Sequence, residues 1–287
     1  AYWQHALELA ERALDAVGWR RKRPPFAEPT SFAAVFPFPA NSLQETVASA
    51  VTQATSEGSD PLLLVVEAPM GTGKTEAALY AHLELQRTLG HRGLYVALPT
   101  VATGNGMFPR VKEWLERLGH ADGPVDLQLQ HGTAFLHPAY QALRPRAVGD
   151  PLRAGRDPRD EPEEKESVVA AAWFTPAKRA MLSEYGVGTV DQALLGVLRV
   201  RHHFVRLWGL GNRTVVLDEV HAYDAYTSGL ITALVGWLRK LGSSVILMSA
   251  TLPRSRRREL VEAYGAQFPS PEHPYPRLTV VRGEQAE

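Results

Sequence analysis

Along the chain, apolar residues gather into short unbroken runs. They include Leu62–Val66, Leu94–Leu98, Val168–Trp173, Thr214–Leu217 and Ser244–Met248, while Val125–Leu129 alternates and is also expected as a strand. A continuous apolar run of this length predicts a strand covered on both faces, where alternation would predict one wet face. Val187–Asp191 predicts a shorter strand or turn, and Leu278–Val281 the start of a further strand. Between these runs the spacing changes to that of helices. Tyr2–Trp19 places Trp3, Ala6, Leu7, Ala10, Ala13, Leu14 and Val17 on one stripe, with Gly18 as its stop. Helices are also predicted over Leu43–Thr55, Glu76–Arg87, Val111–Leu118, Pro176–Glu184, Gln192–Leu207, Ser228–Leu241 and Arg254–Tyr264. Asn41 or Ser42 is the natural cap of Leu43–Thr55. Strands alternating with helices predict an α/β fold, a parallel sheet with helices on both faces.

Three stretches break the alternation. Pro24–Pro39 is rich in proline yet carries Phe26, Phe32, Phe36 and Phe38, which predicts an ordered connector packed by its aromatic rings. Leu143–Glu166 has four prolines, many charges and no apolar period, and reads as a mobile surface insertion. Phe268–Pro276 reads as a linker. The expected division is an N-terminal helix and connector over 1–40, one large α/β domain over 41–268 with an insertion at 143–167, and a linker over 269–287.

The most informative local pattern joins one strand to one helix. Leu62–Thr75 reads L-L-L-V-V-E-A-P-M-G-T-G-K-T and runs into Glu76–Arg87. Gly71 and Gly73 let the backbone curl so that successive N–H groups face one hollow. Thr72 lies between them, and the positive end of the following helix adds to the field. This is a phosphate-binding loop in which Lys74 reaches the outer phosphates, Thr75 holds Mg²⁺ and Glu76 follows. The first glycine of that pattern is Ala68 here, a residue small enough for the turn.

Every polar motif falls at a strand's carboxyl end, where ligands gather in such sheets. The loop follows Val66, Pro99-Thr100 follows Leu98, Asp218-Glu219 follows Leu217, and Ser249-Ala250-Thr251 follows Met248. Asp218 suits a Mg²⁺-holding carboxylate opposite Thr75, and Glu219 a residue that orients or deprotonates an attacking water. His221 reads either as a bridge from the nucleotide site to Ser249–Thr251 or as a polar strand-end residue. Arg199, Arg201, His202, His203 and Arg206 form a basic cluster, read either as phosphate contacts or as a solvated helix face. Arg254, Arg256, Arg257 and Arg258 read as solvated or facing another domain.

Composition narrows the classes further. Lysine plus arginine equals aspartate plus glutamate at 31 each, so bulk charge neither supports nor excludes a nucleic-acid partner. With no cysteine there is no disulfide framework or thiolate metal site, which fits a reducing cytoplasm. No run approaches a membrane span and no signal peptide is visible. The missing initiator Met reads as a processed or excised chain.

These motifs resemble those of a known family. A-P-M-G-T-G-K-T, D-E-V-H and S-A-T are similar to the first RecA-like domain of superfamily-two helicases. Leu98–Phe108, His131–Ala134, Trp173-Phe174, Val187–Leu195 and Asp218–Asp224 narrow the resemblance to the helicase part of the type I CRISPR-associated helicase–nuclease. It covers Ser42–Thr251 well and the flanks weakly. The resemblance implies an ATP- and Mg²⁺-dependent motor moving along single-stranded DNA in antiviral defence, recruited by a guide-RNA surveillance complex. It implies phosphate and Mg²⁺ contacts at Gly71, Gly73, Lys74, Thr75, Asp218 and Glu219, and an adenine contact at Gln44. Ser249 and Thr251 would couple hydrolysis to motion, and Thr100, Thr103, Asn105, Thr189 and Gln192 would line the DNA track. The family's His-Asp dipeptide is absent, and the stretch after Thr251 is too short for a second RecA-like domain. A nuclease domain and a second RecA-like domain are therefore expected as partners, and slow hydrolysis by this chain alone. Competing readings are another superfamily-two translocase (a restriction-type motor or RNA helicase), a phosphate-loop kinase or GTPase, and a non-catalytic binding module.

Overall fold

In the computed structural model, residues 2–16, 25, 26, 28, 30–119, 123–143, 168–176, 179–269 and 273–286 are described. In chain order the helices are α1 (Tyr2–Ala16), α2 (Phe32–Val35), α3 (Ser42–Ser56), α4 (Lys74–Leu89), α5 (Val101–Leu118), α6 (Pro138–Leu143), α7 (Val190–Leu194), α8 (His203–Leu210), α9 (Ala225–Lys240) and α10 (Arg254–Ala263). The strands are β1 (Leu62–Glu67), β2 (Leu94–Leu98), β3 (Val125–Gln130), β4 (Val168–Val169), β5 (Tyr185–Thr189), β6 (Thr214–Leu217), β7 (Ser244–Ser249), β8 (Arg277–Arg282) and β9 (Gln285–Ala286). They form one sheet in the order β4-β3-β5-β2-β6-β7-β1-β8-β9. All pairings are parallel except those of β8 with β1 and with β9.

The apolar runs explain this arrangement. In β1, Leu62, Leu64 and Val66 join the core beneath α3, α4 and α5, while Leu63 and Val65 join the core on the opposite face with α9 and α10. Each fully buried Leu or Val is worth about 1.5–3 kcal/mol relative to exposure. The unbroken apolar run of β1 suits a strand covered on both faces.

Several expectations are corrected. The strand predicted over Val168–Trp173 stops at Val169, because the chain turns back at Ala171, whose carbonyl accepts from Phe174 N. In place of an α-helix over Pro176–Glu184 the described residues hold one 3-10 turn, Ala180–Leu182. The helix predicted over Gln192–Leu207 is two helices, α7 and α8, separated by a bend in which His202 takes a left-handed φ of 65°. The segment must cross from the end of β5 to the start of β6, and one straight helix would not turn to do so. Conversely, α5 begins at Val101, because Thr100 and Thr103 form a reciprocal cap. The stretch expected as a linker contributes β8 and β9. Phe32 and Phe36 of the connector are buried against the core. Residues 144–167 of the predicted insertion and the basic run Arg20–Arg23 lie outside the described residues.

Candidate active site

Four neighbouring strands, β2-β6-β7-β1, end side by side and carry the polar motifs. The loop after β1 is tied to β7 by Ala68 N donating to the Ser249 carbonyl at 3.2 Å. Gly71 and Gly73 have φ of 77° and 79°, the left-handed region that favours glycine. Gly73 is also required for space, since a Cβ there would lie 2.3 Å from Gln44 Nε2. Lys74 opens α4 with its stem buried, and its Nζ donates to the carbonyls of Ala68 at 2.7 Å and Pro69 at 3.0 Å. The substitution of alanine for the first glycine is thus accommodated, with Ala68 itself buried. The Thr72 hydroxyl donates to Pro69 O at 2.7 Å, closing the loop on itself.

A second layer supports the loop. Asn41 caps α3 by accepting from Gln44 N at 3.0 Å, and Gln44 Oε1 accepts from Asn41 N at 2.9 Å. The free ends of both amides reach the loop, with Asn41 Nδ2 donating to Thr72 O at 3.0 Å and Gln44 Nε2 to Gly73 O at 3.3 Å. The structure therefore places Gln44 against the phosphate loop, its Nε2 on Gly73 O and its Oε1 on Asn41 N. Beside it lies a groove lined by Asn41, Leu43, Pro69, Thr72, Pro276 and Arg277.

Across the site, Asp218 N pairs with Ala97 O, extending β6 towards the loop. Asp218 Oδ1 accepts from Glu219 N at 2.9 Å. Burial, and then the neighbouring Glu219 carboxylate, push the Asp218 carboxyl above its usual range, while Lys74 and Arg110 oppose that rise. Asp218 and Glu219 are half-buried carboxylates, hard oxygen donors of the kind that Mg²⁺ takes. Glu219 sits at φ 52°, in the left-handed region, which directs its side chain away from the strand's course. His221 Nδ1 lies 3.2 Å from Glu219 Oε2 and 3.1 Å from Ser249 Oγ, and Ser249 Oγ donates to Thr251 O at 2.8 Å. Glu219, His221, Ser249 and Thr251 thus form one chain of contacts. Glu76 points elsewhere and pairs with Arg110 of α5.

The residues expected along a nucleic-acid track separate into groups. Thr100 and Thr103 are exposed at the start of α5, their hydroxyls 3.0 Å apart. Asn105 Oδ1 meets His131 Nε2 at 2.8 Å, and Gln192 lines a cleft with His131, Gly132 and Phe135. Burial, and then His137, hold the His131 ring below its usual pKa, favouring the neutral form. Thr189, by contrast, is buried at the end of β5, its carbonyl accepting from Tyr95 OH at 3.2 Å.

Sequence reasoning missed Glu67, Arg257 and Arg277, which meet behind the loop. Arg257 is buried, against the expectation that its arginine run is solvated or faces another domain. The signal lay in helical spacing. Arg257 shares a face with Leu260 and Val261, and Glu67 ends a strand that is otherwise apolar.

No protein-family model matches the chain. The CRISPR-associated endonuclease/helicase Cas3 of Thermus thermophilus is 57% identical over 286 residues, which is 98% of this chain and 29% of that protein. The crystal structure of T. fusca Cas3-AMPPNP matches with a TM-score of 0.78 at 32% identity, over 99% of this chain and 30% of that one. A chain of a CRISPR RNA-guided surveillance complex in a pre-nicking state matches at 0.58 and 30% identity, over 86% of this chain and 24% of that one. The chain therefore spans under a third of the length of these relatives.

Proposed function

The chain belongs, over its own length, to the helicase segment of the CRISPR-associated helicase–nucleases, and on that premise we propose that it is the ATP-binding half of a single-stranded DNA motor in CRISPR defence. The observation that supports this most directly is the union of three parts on adjacent strand ends. A lysine-bearing phosphate loop, the Asp218-Glu219 pair, and the contact chain from Glu219 through His221 to Ser249 gather at the carboxyl ends of neighbouring strands.

In this reading Lys74 leaves the Ala68 and Pro69 carbonyls and turns its ammonium to the outer phosphates of ATP, a small movement because the stem is already fixed. The loop N–H groups and the start of α4 receive the remaining phosphate charge. Thr75 and Asp218 would hold Mg²⁺, which would supply positive charge to the phosphates. Glu219 orients the attacking water and accepts its proton. His221 reads the state of Glu219 and passes it to Ser249 and Thr251. Thr100, Thr103, Asn105 and Gln192 face the strand, with the track continuing onto a second RecA-like domain. That domain supplies the opposite wall of the cleft and an arginine, a group worth about 10³–10⁵ in rate. A nuclease domain and a guide-RNA surveillance complex complete the assembly, in keeping with the names of the relatives.

ATP hydrolysis by the full-length protein that contains this chain, with and without single-stranded DNA, tests the proposal. DNA is expected to stimulate turnover. Lys74→Ala is expected to abolish nucleotide binding, and Glu219→Gln to lower kcat by about 10²–10⁴ while leaving binding intact. Turnover that ignores DNA would point to a self-contained phosphate-loop enzyme, and binding that survives Lys74→Ala to a different ligand site.

A further inference from the structure

Glu67 is the last residue of β1 and the one before the phosphate loop, and the residue is 1% exposed. Five residues of pure hydrocarbon precede it, so nothing in the strand itself calls for a charge there. Its partners come from two distant parts of the chain. Oε1 accepts from Leu252 N at 3.0 Å and from Arg257 Nη1 at 3.2 Å. Arg277 Nε, on β8, lies 3.6 Å from Oε2. Arg257 Nη1 also donates to the Leu252 carbonyl, so carboxylate, guanidinium and the Leu252 backbone close on one another.

Leu252 directly follows Ser249-Ala250-Thr251. The register of β1 and β7 ends at the pair Glu67–Ser249, and one further backbone bond, Ala68 N to Ser249 O, lies beyond it. Past that point the two loops leave the sheet separately, and the Glu67 side chain spans the gap to Leu252. On one side of Glu67 the chain leads through Ala68, whose carbonyl holds Lys74 Nζ. On the other it leads to Ser249, which meets His221 and through it Glu219. A buried charge with two cationic partners and a backbone donor is a costly device where a methionine would fill the space, and such devices fix one arrangement of the parts they join.

We propose that Glu67 is a positioning residue that locks the Ser249–Thr251 loop to the phosphate loop, so that the state of the nucleotide at Lys74 reaches Ser249 and His221 as one rigid movement. The inference rests on the motor reading above. It assigns Glu67 no contact with ATP or DNA; it acts through Leu252 and Arg257. Removing the charge leaves each loop intact and uncouples them.

The experiment is ATP turnover by the full-length protein, titrated with ATP in the presence and absence of single-stranded DNA, for wild type, Glu67→Gln and the double variant Glu67→Gln/Arg257→Met. Glutamine keeps the shape and an acceptor for Leu252 N while removing the charge that holds Arg257. The double variant also removes the cation that would otherwise be left buried, and serves if the single variant folds poorly. Both are expected to keep KM for ATP and the DNA-free rate near wild type, and to lose about tenfold in the DNA-stimulated kcat, the size expected for a broken coupling element. An unchanged ratio of stimulated to unstimulated rate would overturn the inference. So would a proportional fall in both rates, which is the mark of a strut with no part in coupling. If wild type itself shows no stimulation by DNA, the motor reading falls, and this inference with it.

Discussion

His82 shows how a single side chain can set a property of the whole fold. It lies fully buried in α4, its Nδ1 2.9 Å from Thr214 Oγ1, with the rings of Trp114 and Tyr185 edge-on to it. Burial, and after it the charges of His91 and Arg213, lower its pKa to about 3. The folded ring is therefore neutral where an unfolded one, with its pKa near 6.5, begins to protonate. A depressed folded pKa means that this stabilisation is complete above about pH 6.5 and is lost as pH falls from there towards 3. The limiting slope is about 1.4 kcal/mol per pH unit for one site. Urea unfolding between pH 7 and 4 should show stability falling, and His82→Gln should flatten that fall even if it lowers stability at pH 7. An equal slope in both proteins would mean that other groups carry the acid sensitivity. Nothing in the sequence singles out His82, because its role depends on Thr214 reaching it from a strand 132 residues away. Lys74 and Asp218 are legible for the opposite reason. Their chemistry is written locally, in the loop before one and the strand before the other.

At the level of elements, legibility followed how local the cause was. The phosphate loop and its flanking β1 and α4 could be read directly, because an apolar run, two glycines and a helical period lie in one window. The break between α7 and α8 could not, since the apolar spacing of Gln192–Leu207 suits one helix and only the need to reach the start of β6 divides it. Helix α3 shows a cap with two duties. Asn41 is legible as its N-cap, but its side chain also holds Thr72 O, and its capping partner Gln44 holds Gly73 O. Asn41→Ala should therefore do two things. Loss of the cap should lower stability by about 1 kcal/mol. Loss of the Thr72 anchor should also weaken nucleotide binding, measurable by titration with a fluorescent ATP analogue. Asn41→Asp keeps the cap acceptor but not the amide donor to Thr72, so it should restore much of the stability without restoring affinity. If affinity and stability recover together in that variant, the contact with the loop is incidental.

Across the molecule the least expected feature is that the sheet is finished by its own C-terminal stretch. From sequence, residues 269–287 read as a linker because prolines crowd Phe268–Pro276 and only Leu278–Val281 has strand character. In the fold, β8 runs antiparallel along the whole of β1, from Leu62 opposite Arg282 to Glu67 opposite Arg277. Strand β1 carries the phosphate loop, so without β8 the strand that bears the proposed nucleotide site would become an edge. An exposed, flat apolar edge is a template for pairing with another chain. Val280 and Val281 bury on opposite faces and would be lost from both cores. Arg277 would be lost from Glu67 as well, leaving Arg257 to hold that carboxylate. A chain ending at Pro269 should accordingly melt well below the full chain, and should aggregate at concentrations where the full chain stays in solution. Heat unfolding followed by circular dichroism, with light scattering on the same samples, measures both. A chain with Val281→Asp tests the packing without removing the strand, and should fall between the two. Equal melting of the truncated and full chains would mean that β1 holds its place through β7 alone, and that the C-terminal stretch is a passenger on the sheet.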